Sequence, residues 1–181
     1  GGVTDNLGLR ALYDLIAAHG GPSVFWRRLE RPAPRRFVIV SVDGMRSSDL
    51  QIDASPEAPS ILHTVQAVTD MQMDRYSADT LNMVSESAKS WVQLWSQPGA
   101  PVELYFLHLH FRQLQDPRLR DALYLIPTAL TLPANQVDEL INTGEQLLRS
   151  NPEFKRLLTD LGASPAELQA ASLPAMGGAA R

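Results

Sequence analysis

The chain contains no cysteine, which excludes a disulfide framework and any thiolate metal site. That absence says nothing about compartment. No apolar run approaches the roughly 18–20 residues that a membrane-spanning helix needs. Basic residues are not in excess: 16 Lys and Arg stand against 20 Asp and Glu, a net charge of −4. The molecule as a whole therefore has no attraction for nucleic acid, and any basic function must be local. An initiator methionine and a signal-like leader are both missing. Gly1-Gly2-Val3 runs straight into structured-looking sequence, so the expectation is a fragment, a processed product or a numbered segment of a longer chain. There is no internal repeat. What is present is ordinary for a globular protein, with 44% hydrophobic and 20% charged residues over 181 positions. That length suffices for one domain with a core, or for a large piece of a bigger one.

Periodicity organises the chain. Thr4 or Asn6 can cap a first helix, in which Leu9, Leu12 and Ile16 share a face with Leu15 beside them, and Gly20-Gly21 supplies the stop. Residues 22–36, rich in arginine and proline, read as irregular. Phe-Val-Ile-Val-Ser-Val-Asp, from Arg36 or Phe37 to Asp43, is the short β-branched run of a strand buried on both faces. A polar loop covers 44–58. From Pro59 to Gln97 the pattern is helical, with Ile61, Val65 and Val68 as one stripe and Leu81, Val84, Ala88, Trp91 and Trp95 as another. A straight helix of that length spans roughly 55–60 Å, so a break is expected near Met73 to Ser77. Pro98-Gly99 ends the segment.

Val102 to His110 is a second buried strand. Two more helices follow. One starts at Pro133 with Val137, Leu140, Ile141, Gly144, Leu147 and Leu148 as its stripe. The other is capped by Asn151-Pro152 and carries Phe154, Leu157, Leu158 and Leu161. Residues 1–162 thus form the domain and 163–181 a flexible Ala/Pro/Gly-rich tail. Strands alternating with helices argue for an α/β, helix-rich arrangement. Two strands are too few for a sheet covered on both faces, so further strands are expected upstream of Gly1.

Gly1-Gly2-Val3-Thr4-Asp5-Asn6-Leu7-Gly8-Leu9 is similar to the segment that follows the catalytic aspartate in patatin-like acyl hydrolases. Gly1 and Gly2 match the glycines of the Asp-Gly-Gly turn there, and Asn6 the asparagine before the next helix. Phe37 to Asp43 resembles the following strand and Asp74-Arg75-Tyr76-Ser77 a helix segment. Ile126-Pro127-Thr128 with Leu132-Pro133 resembles the entry to the C-terminal helices. These short pieces keep the family's order and spacing over most of residues 1–160, most like bacterial members.

The resemblance implies the C-terminal portion of a patatin-like three-layer domain, strands flanked by helices, in a phospholipase or esterase with a Ser-Asp dyad. In such a dyad the serine needs a base to become nucleophilic, a strained Gly-x-Ser-x-Gly turn exposes its oxygen, and backbone N–H groups stabilise the oxyanion. None of these parts is in this sequence. The catalytic serine and the aspartate before Gly1 are expected upstream, so this segment would supply scaffold and part of an acyl pocket but no catalytic residue. Gly1, Gly2 and Asn6 would form the turn adjoining the site, because glycine permits φ > 0 and close backbone approach. The partner implied is the N-terminal half of the same protein and the substrate a lipid or other ester; no cofactor is implied. The alternative is a non-enzymatic interaction or scaffolding domain, a degenerate patatin relative.

Phe25-Trp26-Arg27-Arg28, followed by Arg31, Arg35 and Arg36, is the one basic run. Rings beside arginines suit a lipid headgroup interface, so peripheral membrane contact is the functional reading and a solvated loop the plain one. Nucleic-acid binding is not expected, since no recognition motif accompanies the run. The compartment is not readable, although a membrane-associated or periplasmic location in a bacterium would suit the lipid reading. Asp5 reads as a helix-start acid, and Asp43, Asp49 and Asp53 as a solvated loop after a strand. His108 and His110 point to one face of a strand, a start for zinc, but no third ligand is apparent. They are read as satisfied core or rim histidines, and no metal site is expected. Trp91 and Trp95 at i, i+4 read as core, with an acyl-chain channel as the alternative.

Overall fold

The computed structural model describes residues 8–28, 34–44, 61–127, 129–164 and 166–167. It is a helix-rich mixed α/β structure in which a parallel two-stranded sheet packs against helices. Helices α1 (Leu9–Ala18) and α2 (Pro22–Arg28) precede strand β1 (Arg36–Asp43). Helix α3 (Ile61–Trp95) leads to β2 (Glu103–His110), a 3-10 turn at Phe111–Gln113, and helices α4 (Pro117–Tyr124), α5 (Ala134–Ser150) and α6 (Pro152–Asp160). Among the described residues no helix is long and apolar enough to cross a membrane. The chain divides into two compact units, 1–41 with 48–106 and 42–47 with 107–181.

In the first unit the α1 stop is built as the sequence suggests. Gly20 and Gly21 both have positive φ, 88° and 84°, which an L side chain adopts only at a cost. Their amides donate to Ala17 and Ile16 carbonyls at 3.1 and 3.0 Å, satisfying orphan groups of the last turn. The N-cap position is Gly8, with no side-chain cap. The expected caps Thr4 and Asn6 lie outside the described residues. Residues 22–28 are a short helix rather than irregular chain. Pro22 is tolerated there because a first-turn N–H has no intrahelical partner to lose.

α3 corrects the expected break. It is one unbroken helix of 35 residues, about 52 Å long at 1.5 Å per residue. A compact core does not require the helix to break, because it uses mainly the C-terminal part: among the described side chains the buried positions begin at Ser77. Met73 to Ser77 contains neither proline nor glycine to interrupt the backbone ladder. Further on, Val84, Ala88 and Trp91 are buried as the stripe predicts, joined in the core by Leu9 and Ile39. The earlier stripe is not covered: Ile61, Val65 and Val68 are all more than half exposed.

The strands show which face is inward. On β1, Ile39 and Ser41 are buried, whereas Val38, Val40 and Val42 are exposed, so the strand is not covered on both faces as its apolar run suggested. On β2, Tyr105 and Leu107 are fully buried and Leu109 nearly so, while Leu104, Phe106, His108 and His110 alternate with them as half-buried residues.

In the second unit Leu109, Phe111, Leu114, Leu123 and Leu147 form the core. Helix α4 is an addition to the elements the periodicity shows. Asp116 caps it by accepting from the Arg118 amide at 2.9 Å, with Pro117 in the first turn. Asn151 caps α6 as predicted, its Oδ1 accepting from Glu153 and Phe154 amides at 2.9 and 3.2 Å. On α5 the expected stripe is only partly used. Leu147 is buried and Leu140 and Leu148 pack beside it, but Ile141 is 61% exposed. The tail expected after Ser164 lies almost wholly outside the described residues.

Candidate functional site

The turn expected beside a catalytic aspartate, Gly1, Gly2 and Asn6, lies outside the described residues, as do Asp5, Asp49, Asp53 and Thr128. The candidate positions that can be placed fall into two groups, one in each unit.

In the first unit, α2 carries the basic–aromatic run. Arg27 and Arg28 are exposed at its C-terminal end, while Phe25 and Trp26 are half-buried. Neither ring stands alone. Phe25 meets His19 edge-on at 6.1 Å, and Trp26 meets Trp95 at 5.6 Å. Trp95 in turn contacts Phe37 at 5.4 Å and Trp91 at 6.4 Å, and Trp91 stacks on Tyr13 at 6.0 Å and 11°. The two tryptophans at i, i+4 differ in burial. Trp91 is core, 7% exposed.

Trp95 is half-buried and lines a pocket of about 350 Å³ with Arg35, Gln97 and Val102. Its indole Nε1 is buried, with no hydrogen-bond partner among the described residues. Pockets for small molecules begin near this size, typically apolar with a few placed polar groups. The rim is shaped by the Pro98-Gly99 turn, which returns Ala100 to pair with Gln97 (amide to carbonyl 2.9 and 3.2 Å) and holds Gly99 at φ 80°. The sequence carried the turn but not the pocket, because Arg35 and Trp95 are sixty residues apart.

In the second unit lie the end of β1, with Asp43, and the end of β2, with His108 and His110. The imidazole centroids are 4.8 Å apart, with their planes 33° from one another. Both Nδ1 atoms are buried, and among the described residues neither has a hydrogen-bond partner. They are rim histidines, as one alternative of the sequence had it, and no described residue bonds their buried Nδ1 atoms. Burial pulls the pKa of His108 below its ordinary value, with the Asp43 charge opposing. Burial does the same to His110, helped by the positive charges of His108 and Arg112 and again opposed by Asp43. Desolvation disfavours the charged imidazole, so both rings are biased to the neutral form. Gln113 braces the end of the strand: its side chain donates to the His108 carbonyl at 3.1 Å and accepts from the His110 amide at 3.2 Å. Asp43 and the histidine pair stood as separate features in the sequence, and only the pairing of β1 with β2 brings the charge of one to the rings of the other.

No family model matches this chain, and no curated protein and no solved structure matches it either.

Proposed function

We propose that the chain is the scaffold portion of a patatin-like serine acyl hydrolase, acting on lipid or other carboxylic esters through a Ser-Asp dyad contributed by an N-terminal half. The observation that carries this reading is the ordered series of matches from Gly1-Gly2 through Phe37–Asp43 and Asp74–Ser77 to Ile126-Pro127-Thr128 and Leu132-Pro133. A parallel strand pair packed against helices suits such a domain. The exposed Val38 and Val40 suit it too, because parallel strands are normally covered by helices or further strands. In this reading Trp95 and Val102 would provide an apolar wall for an acyl chain, and Arg35 a cation for an ester or phosphate oxygen. Arg27 and Arg28, exposed beside the Trp26–Trp95 contact, would meet anionic headgroups at a lipid surface.

The test is to read the encoding frame upstream of Gly1 and then assay the full-length product. An aspartate directly before Gly1 and a Gly-x-Ser-x-Gly farther back are expected. The protein should cleave a p-nitrophenyl acyl ester and lose that activity when the serine is replaced by alanine. Full activity in the serine variant refutes the mechanism. An upstream frame without the serine favours the second reading, an interaction or scaffolding domain, for which the exposed apolar stripe Ile61, Val65 and Val68 would serve as a contact surface.

A further inference from the structure

We infer that His108 and His110 form a two-imidazole site for a borderline divalent cation (Zn²⁺, Ni²⁺ or Cu²⁺), with solvent completing the coordination. Residues two apart on β2 project to the same face, and here the rings lie side by side with centroids 4.8 Å apart. Two imidazoles bound to one ion at about 2.0–2.1 Å per metal–nitrogen bond place each ring centre roughly 3.2 Å from it. A 4.8 Å separation then corresponds to an N–metal–N angle of roughly 95–100°, between the square-planar and tetrahedral values these ions prefer. The ring spacing is compatible with chelation of one ion.

Four further observations point the same way. Among the described residues neither buried Nδ1 has a hydrogen-bond partner, so one nitrogen of each ring has no bond to lose. The neutral form, favoured by burial, is the form that ligates. The Asp43 charge acts on both rings, opposing the positive charge of Arg112 near His110 and favouring a bound cation. Both rings are only half-buried, which leaves an entry path. Among the described residues no three His, Cys, Asp or Glu side chains stand close enough to hold an ion together. The site is thus bidentate, of moderate affinity, and ordered Cu²⁺ above Ni²⁺ and Zn²⁺. It does not rest on the hydrolase reading, which needs no metal.

The experiment uses tag-free protein stripped with EDTA. Titration calorimetry with CuCl₂, NiCl₂ and ZnCl₂ should give one saturable site per chain, weakened about tenfold or more in H108Q and in H110Q, since each removes one of two ligands. In the unaltered protein, ZnCl₂ should slow diethylpyrocarbonate modification of His108 and His110, read by peptide mass spectrometry, and leave His19 modified at its metal-free rate. That readout stands even if a variant fails to fold. Binding of undiminished affinity in the H108Q/H110Q double variant overturns the inference. So does the absence of saturable binding below about 1 mM, or modification of the pair at an unchanged rate.

Discussion

Replacing Trp91 with alanine puts the aromatic cluster of the first unit to a quantitative test. The indole is 7% exposed and lies between Tyr13 on α1 (6.0 Å, stacked), Phe37 on β1 (6.2 Å) and Trp95 one turn along α3 (6.4 Å). It therefore joins three elements that are far apart in sequence. Truncating a buried tryptophan costs about 3–5 kcal/mol in lost transfer energy and cavity formation. Each ring pair adds about 0.5–1.5 kcal/mol beyond its area, so the upper half of that range is expected. W91F keeps an aromatic face against Tyr13 and should lose roughly half as much. At about 2–4 °C per kcal/mol for a chain of this size, W91A should lower Tm by roughly 8–20 °C.

Guanidinium titrations separate the two units. All three tryptophans, 26, 91 and 95, are in the first unit, so fluorescence reports that unit while far-UV circular dichroism reports both. A fluorescence-detected loss below about 1 kcal/mol in W91A would refute the packing argument and return Trp91 to the alternative role of lining an acyl channel.

Two other outcomes follow from the second unit. Asn151 is 9% exposed and caps α6 with two hydrogen bonds; N151A should cost about 1–2 kcal/mol, with faster hydrogen exchange at the Glu153 and Phe154 amides, and N151D should recover most of it. The histidine pair makes stability pH-dependent in metal-free protein. With both folded-state pKa values below the ordinary 6.5, the unfolded chain binds more protons, so stability rises with pH in that window. The contribution is fully present above pH 6.5 and is lost as the pH falls through that value toward the folded pKa. Denaturant midpoints should therefore drop between pH 7.5 and 5.5, and less so in the H108Q/H110Q double variant.

Much of this molecule was legible from local chemistry. The α1 stop at Gly20-Gly21, the Asn151-Pro152 cap and the two apolar strands depend on residues within a few positions of one another. Backbone sterics, capping geometry and side-chain alternation act at that range, and each formed where the residues implied. The buried stripe of Val84, Ala88 and Trp91 was readable for the same reason, since a helix repeats its face every three to four residues.

What failed or was invisible involved distance. Continuity of α3 past Met73–Ser77 could not be judged from an assumed compact size, because only the packing that begins at Ser77 shows how much of the helix the core uses. The valines of β1 read as doubly buried, since a strand's sequence records its apolarity and not what covers it. The pocket at Arg35 and Trp95, and the meeting of Asp43 with His108 and His110, join residues about sixty positions apart. The sequence by itself determined which side chains point together along each element: His108 with His110, Trp91 with Trp95. Only the tertiary structure decided which tryptophan is core and which lines a pocket, and left two buried imidazole nitrogens without a partner among the described residues, because burial and partnership are properties of neighbours that the chain brings from elsewhere.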